Sequence, residues 1–399
     1  MKSCQDICFQ LFADKTDYYH RWYHTKPMLI TSERRDELRR MQALLYKCIA
    51  YMAEHYREWV PQYMPLNEKI MEVLERQSRY PFRAGAYRSD YLISDDGRLL
   101  LVEITCRFFG HGIWFNYPSV VKAEQFMAEH GGVCCENRYD ELMTYMRDII
   151  PAGSPIYVLK SSDPTSEIAL YKKFYEYYGH EVTVYEATEV EAHIDQWSHD
   201  AIVFSALNQQ DLLSFRMETL QTMIDVRMLN DFRTIFLIHD KRFLHLIFVD
   251  DFMRQCLTEE DTMFLRQRTI PTYLFNEHPE MWEDAQMNKD RYILKPYNLG
   301  KSVGLFAGVM TDEEIWRNAL ASMYNVLQPF IMQRTYPCLW EGKQYDEYVC
   351  GMMLCMDDRY FDSGVFRTSS APVTNKVDDR KMCVIHSDDE GLKRNCYVL

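Results

Sequence analysis

The sequence predicts a mixed α/β protein, with antiparallel sheets packed on helices and a small parallel α/β unit in the middle of the chain. Three observations carry this. Residues 86–104 read strand, turn, strand around Asp96-Gly97, a hairpin signature. Residues 151–238 alternate short apolar strands with a helix, the rhythm of βαβ units. Leu38, Met41, Leu45, Cys48, Ile49 and Met52 repeat at helical spacing, so an amphipathic helix is expected over Thr31–Trp59 with Ser32 as its cap.

A second helix is expected over Leu66–Gln77. The hairpin follows, Tyr87–Ile93 against Leu99–Ile104, and then helices near Ser119–His130 and Asp140–Ile149. Pro151-Ala-Gly-Ser-Pro155 reads as a linker. Beyond it the spacing predicts strands at Ile156–Leu159, Val182–Tyr185, Ala201–Phe204 and Thr234–Ile238, with a helix over Ser166–Tyr178. A helix is expected at Lys241–Asp251, and strands at Tyr292–Lys295, Val303–Ala307 and Phe330–Gln333. The last strands, near Val349–Met356 and Gly364–Arg367, flank an Asp357-Asp358 turn, and the polar tail from Asp378 is expected to be irregular.

Length and composition bound the function. The 399 residues exceed one small core and suit two or three packed units. With 45 basic and 59 acidic residues the net charge is −14, against the basic face of a nucleic-acid binder. No apolar run approaches the roughly 20 residues of a membrane helix, and the start lacks a secretory pattern. A cytoplasmic protein, with no nucleic-acid or membrane partner, is the expectation. The 12 cysteines show no zinc spacing: Cys4 with Cys8 and Cys350 with Cys355 are not CxxC pairs, and adjacent Cys134 and Cys135 suit one tetrahedral ion poorly. Reduced, buried thiols are the better reading.

Five motifs could carry chemistry. In the first, Asp90 and Glu103 stand about equally far from the turn, on facing strands, and can share a face. Glu103 lies between Val102 and Ile104, where a carboxylate needs a partner or a metal. A Mg²⁺ bridging the two would relieve their repulsion; a solvated surface hairpin is the plain alternative. In the second, a strand delivers Lys295 into the loop Gly300-Lys301-Ser302-Val303-Gly304. Backbone N–H groups of such loops approach phosphates, with lysine as a point charge. The stretch is not a P-loop, because Lys295 stands where the first glycine belongs and no helix follows; a hairpin with an exposed lysine is the alternative.

The third is His239-Asp240-Lys241-Arg242, where Asp240 can cap a helix and Lys241 in its first turn points to an anionic partner. The fourth, Gln328 to Arg334, sets Gln333 at the end of an apolar strand that could hold a purine. The fifth gathers Arg367, Thr368, Ser369, Ser370 and Asn375 about a turn suited to an oxyanion, or to bonding its own backbone. His111, between Gly110 and Gly112, is a candidate base set against an incidental histidine in a glycine-rich loop. No nucleophilic serine or cysteine motif is present.

Together these motifs resemble the ATP-grasp superfamily. Lys295-Pro296, Gly300 and Gly304 are similar to its phosphate-covering strand and loop, with Lys301 and Ser302 between. Phe330-Ile331-Met332-Gln333 is similar to its adenine hinge, Lys241 to its earlier lysine, and Asp90 and Glu103 to its metal carboxylates. The carboxylates precede the lysines here. That order resembles the circularly permuted branch typified by glutathionylspermidine synthetase, whose late polar cluster Arg367 and Asn375 resemble. Thr105 stands where the family has the Asn that completes the metal site.

The resemblance touches 86–107 and about 234–376. It implies four parts: 1–150, a helical segment with the metal hairpin of the large lobe; 151–238, the parallel unit; 239–335, the lid or small lobe; and 336–399, a return to the large lobe. It further implies ATP and Mg²⁺ as cofactors and small-molecule carboxylate and amine substrates joined through an acyl phosphate. Asp90, Glu103 and Thr105 would hold the metal. Arg88, Arg107 and Arg367 would meet the transferred group or a substrate carboxylate. Two other readings stand beside the ligase: a nucleotide-binding protein without turnover, suggested by Thr105, and a non-enzymatic interaction protein, suggested by 28 Tyr and 23 Met.

Overall fold

In a computed structural model of the chain, the Asp-Gly hairpin is the centre of the largest sheet. The structure describes residues 2–114, 116–130, 137–161, 167–300, 302–374, 378 and 380–399. The hairpin strands are β2 (Ala86–Ile93) and β3 (Leu99–Thr105), with Gly97 at φ +83° in the turn. Against β2 lies the long β12 (Lys343–Met356), which also pairs with β11 (Thr335–Trp340), β13 (Arg359–Ser363) and β14 (Phe366–Ser369). With β15 (Arg380–Met382) this makes a seven-stranded sheet. Every pairing in it is antiparallel.

One face of this sheet is apolar. Tyr87, Tyr91, Ile93, Leu99, Leu101 and Ile104 pack into a core shared with α2 (Ser32–Tyr63) and α3 (Glu68–Gln77). The expected stripe of α2, Leu38 through Met52, is buried throughout. Its cap is Thr31 rather than Ser32: the Thr31 hydroxyl accepts from Arg34 N–H, and Ser32 instead bonds Asp388. The other face carries the polar residues of the candidate site.

The parallel unit is a sheet in the order β5 (Val182–Glu186), β4 (Ile156–Lys160), β6 (Ile202–Ala206), β7 (Met228–Leu229). Its fourth strand is therefore Met228–Leu229, and Thr234–Ile238 is a π-helical turn. All five residues of that turn are buried. A short apolar run buried on every side shows no alternation, so periodicity alone cannot separate strand from helix.

A third, antiparallel sheet joins β8 (Tyr292–Pro296), β9 (Phe306–Ala307) and β10 (Asn325–Pro329) in the order β10-β8-β9. Here the expected strands shift. The hinge strand ends at Pro329, and of Phe330–Gln333 only Gln333 bridges, to Ser94. Strand character between 303 and 307 is confined to Phe306–Ala307, and the expected helix 241–251 is two short ones, Phe243–Leu246 and Asp250–Cys256.

From Arg380 the tail forms regular elements, contrary to its polarity. The strand opposite the Asp357-Asp358 turn is Arg359–Ser363, and Phe366–Ser369 is a separate strand. β16 (Val384–His386) and β17 (Tyr397–Val398) flank β1 (Met28–Ile30) in a small parallel sheet. The buried residues Cys383, Val384 and Ile385 anchor it, a run too short to stand out among charged neighbours. The ten described cysteines are free thiols, and no described helix is long and apolar enough to cross a membrane; Cys134 and Cys135 lie outside the described residues.

Candidate active site

A cavity of about 690 Å³ lies between the polar face of the large sheet and the β8 loop. Its floor follows from the hairpin register. Arg88 pairs with Thr105 and Asp90 with Glu103, and a bulge follows at once toward the turn. Side chains directly opposite in an antiparallel pair share a face. Met352 and Arg367 are brought beside them, because Met352 pairs with Asp90 and Arg367 pairs with Cys350 on the same long strand.

Asp90 is fully buried, and both its oxygens are held by guanidiniums. Arg88 donates from Nε at 2.7 Å and from Nη2 at 3.0 Å, and Arg367 donates from Nη2 at 2.5 Å. A buried carboxylate without such partners would cost several kcal/mol. Glu103, its cross-strand neighbour, faces the cavity instead. Burial works against its ionisation. Lys241, Lys295, Arg367 and Arg88 outweigh that penalty and hold its carboxyl down at about 2.

The opposite wall brings the two lysines. β8 carries Lys295 to the cavity, and the π-helical turn delivers Lys241, whose N–H donates to Tyr297 O at 2.9 Å and whose Nζ bonds the carbonyl of Leu299. Asp240 does not cap a helix. It pairs with Arg242 at 2.7 Å, and Arg242 stacks over Tyr297 at 3.8 Å. Burial disfavours the charge on both lysines. It lowers Lys241, and it brings Lys295 down to about 8 although Glu103 pulls the other way. Buried His239, also on the wall, is pushed to about 3 by burial and by Lys241 and Arg107.

The loop after β8 folds over the cavity. Gly300 and Ser302 line it, and a Cβ on Gly300 would sit 3.6 Å from the Arg107 guanidinium. Gly304, at φ +67°, turns the chain back against Pro296, where a Cβ would come within 2.8 Å of its ring. Ser302 Oγ reaches Thr374 O across the mouth at 3.4 Å.

Most residues singled out in the sequence therefore converge. Arg88, Glu103, Thr105 and Arg107 line the cavity from β3 and its surroundings; Lys241, Lys295, Gly300, Ser302 and Arg367 line it from the other walls. Asp90 lies beneath the floor rather than on it. Gln333 stands behind the wall, donating to Pro372 O at 3.0 Å, and the apolar lining near it comes from Leu92, Val102 and Ile293. Of the fifth motif, Thr368 is buried and its hydroxyl meets His24 Nε2 at 3.0 Å. Lys301 and Asn375 lie outside the described residues.

Among the wall residues that carried no sequence signal are Tyr18, Tyr19 and Trp22, at and beyond the end of α1 (Cys4–His20). Nothing in residues 1–80 pointed to a site, and only packing brings this helix to the cavity.

As for a metal, the described residues contain no cluster of three or more His, Cys, Asp or Glu. Glu103 and Thr105, two apart on β3, offer one carboxylate and one hydroxyl to the cavity. That donor set fits a Mg²⁺ taking its other ligands from phosphates and water. Asp90, with both oxygens on arginines, is not part of that set in this structure.

Comparison with known proteins adds the following. The family model for the AnkG N-terminal domain matches residues 41–237. No curated protein sequence matches the chain. Among solved structures, the chain is similar to a glutathione synthetase-like effector from Globodera pallida in its apo form. The two share 11% sequence identity and a TM-score of 0.60, over 96% of this chain and 97% of that one. At this identity the likeness is one of architecture: the chain has a mixed α/β fold of the glutathione synthetase-like kind.

Proposed function

We propose that the protein is an ATP-dependent carboxylate–amine ligase of the ATP-grasp type, in the circularly permuted branch. The observation that carries this is the convergence of Lys241, Lys295 and Glu103 with Arg88, Arg107 and Arg367 on one cavity, from segments far apart in sequence. The nearly full-length likeness to a glutathione synthetase-like structure supports it.

In this reading Lys241 and Lys295 hold the nucleotide phosphates, and Leu92, Val102 and Ile293 pack the base. The substrate carboxylate, oriented by Arg88, Arg107 and Arg367, attacks the γ-phosphorus, and ADP leaves. The amine then displaces phosphate from the acyl phosphate. The chain's work is positioning and charge neutralisation. Glu103 and Thr105 would hold Mg²⁺, which would supply positive charge to neutralise the nucleotide phosphates. The Gly300–Gly304 loop excludes water that would hydrolyse the intermediate.

A second reading is favoured by two features: Asp90 is committed to two arginines, and Thr105 stands where the family has Asn. The protein would then bind nucleotide without turning it over. One experiment separates the two. Mg·ATP is expected to raise the melting temperature, since binding stabilises the native state. ADP release is then screened across amino acids, small peptides and polyamines. Release with an acid–amine pair supports the ligase; a shift without release supports the second reading; no shift at saturating Mg·ATP removes both.

A further inference from the structure

His111 and Glu167 form a dyad that the ligase reading has not yet used. His111 lines the cavity, with its side chain about a quarter exposed (23%), while that of Glu167, at the start of the helix Glu167–Tyr177, is 2% exposed. Nδ1 of His111 lies 2.8 Å from Glu167 Oε2. The other oxygen, Oε1, accepts from Gly112 N–H at 3.0 Å. A carboxylate only accepts, so Nδ1 carries the proton and Nε2 is left as the basic nitrogen.

The loop is held against the reaction centre. Gly110 and Gly112 have φ +70° and +91°, the left-handed region that favours glycine. A Cβ on Gly112 would come 3.0 Å from Arg88 Cδ and 3.2 Å from its Nη1. Gly112 therefore packs against the arginine assigned to the transferred group, and His111, next to it in the chain, lines the same cavity as that arginine. Against the His111 ring lie Glu167 and the Phe108 ring, whose centroid is 5.9 Å from the imidazole, and the charged Arg88 lines the same cavity. If Glu167 served only to pin the loop, its bond to Gly112 would be enough. Spending its second oxygen on the imidazole fixes one tautomer, the arrangement of a base with an orienting carboxylate.

We propose that His111, oriented by Glu167, is the general base that takes the proton from the attacking amine. This rests on the ligase reading. The amine nitrogen's lone pair forms the C–N bond to the acyl carbon of the acyl phosphate. The C–O bond to phosphate breaks, and its electron pair leaves with the phosphate. The proton shed by nitrogen passes to His111 Nε2, and the imidazolium, stabilised by Glu167, gives it to the departing phosphate oxygen. The products are the amide and hydrogen phosphate, with His111 neutral again. Glu167 touches no reacting atom and is a positioning residue.

The test has two arms on the full chain. In the first, ¹⁵N NMR of the histidine rings reads the tautomer. Wild type should show His111 as Nδ1–H with bare Nε2, and Glu167→Gln should abolish that preference; an Nε2–H tautomer in wild type overturns the proposal for any substrate. In the second, ATP is supplied with the standard amino acids and glutathione as carboxylates, and with hydroxylamine or glycinamide as acceptor. Hydroxylamine is largely unprotonated at neutral pH and highly nucleophilic, so it needs the base least. In His111→Asn the ratio of hydroxamate to glycinamide product should rise about 100-fold, the low end of what general-base catalysis contributes. An unchanged ratio overturns the proposal. Absence of hydroxamate with wild type counts against the ligase reading instead, and the tautomer then still decides the dyad.

Discussion

The Arg367 guanidinium, on β14, reaches Asp90 on β2 at 2.5 Å, across 277 residues of sequence. This contact joins the late polar segment to the early hairpin through the strand between them, β12. It also sets the electrostatics of the cavity, because it leaves Glu103 as the carboxylate that faces the lysines. Four predictions start from this arrangement.

Asp90→Asn keeps the shape but removes the buried carboxylate charge that Arg88 and Arg367 clamp. Breaking a buried pair from one side costs ~3–5 kcal/mol. Urea unfolding should show a loss of that size, larger than for an exposed pair such as Arg39–Asp36. A loss below about 1 kcal/mol would mean that the clamp carries little of the stability of the sheet.

Glu103→Gln should uncouple nucleotide binding from Mg²⁺. We expect the Mg²⁺-dependent part of ATP affinity to fall by at least the roughly 10–100-fold that even outer partners of a metal contribute. Titration calorimetry with and without Mg²⁺ reads this directly. Equal Mg²⁺ dependence in variant and wild type would place the ion elsewhere.

Lys295 titrates near 8 because burial penalises its charge. A folded value below the ordinary lysine value means that the unfolded chain binds more protons between the two. Stability from this group is therefore lowest below about 8 and recovers as pH rises above it. A bound phosphate favours the charged form, so ATP should bind with proton uptake near pH 8 and more weakly as pH climbs past it. Calorimetry in buffers of different ionisation enthalpy measures the uptake, and Lys295→Arg should abolish it.

Gly351→Ala tests the packing of the sheet's apolar face, behind the cavity floor. An added Cβ would come 2.3 Å from Tyr91 Cζ, in a fully buried contact where Tyr91 also bonds Ser363 at 3.0 Å. Overpacking of this kind costs ~1–3 kcal/mol. The midpoint of urea unfolding should drop accordingly, whereas Gly342→Ala, with no atom within 4 Å, should act only through its left-handed φ of +74°.

Much of this site was legible before folding was considered. The Asp-Gly turn puts Asp90 and Glu103 on facing strands, but the register next to the turn would set Asp90 opposite Val102, and only the bulge between Asp90 and Tyr91 brings Glu103 opposite it. Lys295 is readable for a local reason, as the end of an apolar strand running into glycines. The helical stripe of α2 and three strands of the parallel unit follow from periodicity. These are properties of short windows, where spacing alone decides which side chains share a face.

Only the tertiary structure decided the rest. The sequence could put Asp90 and Glu103 on facing strands but not show the bulge that pairs them, nor that Arg88 and Arg367 take both Asp90 oxygens, because Arg367 arrives through the pairings of β12. It could not tell that Thr234–Ile238 coils rather than extends, since burial on all sides erases the periodic signal. Nor could it bring Glu167 to His111, 56 residues away, or α1 to the cavity wall. Those contacts depend on how separate cores stack, and no short window of sequence contains that information.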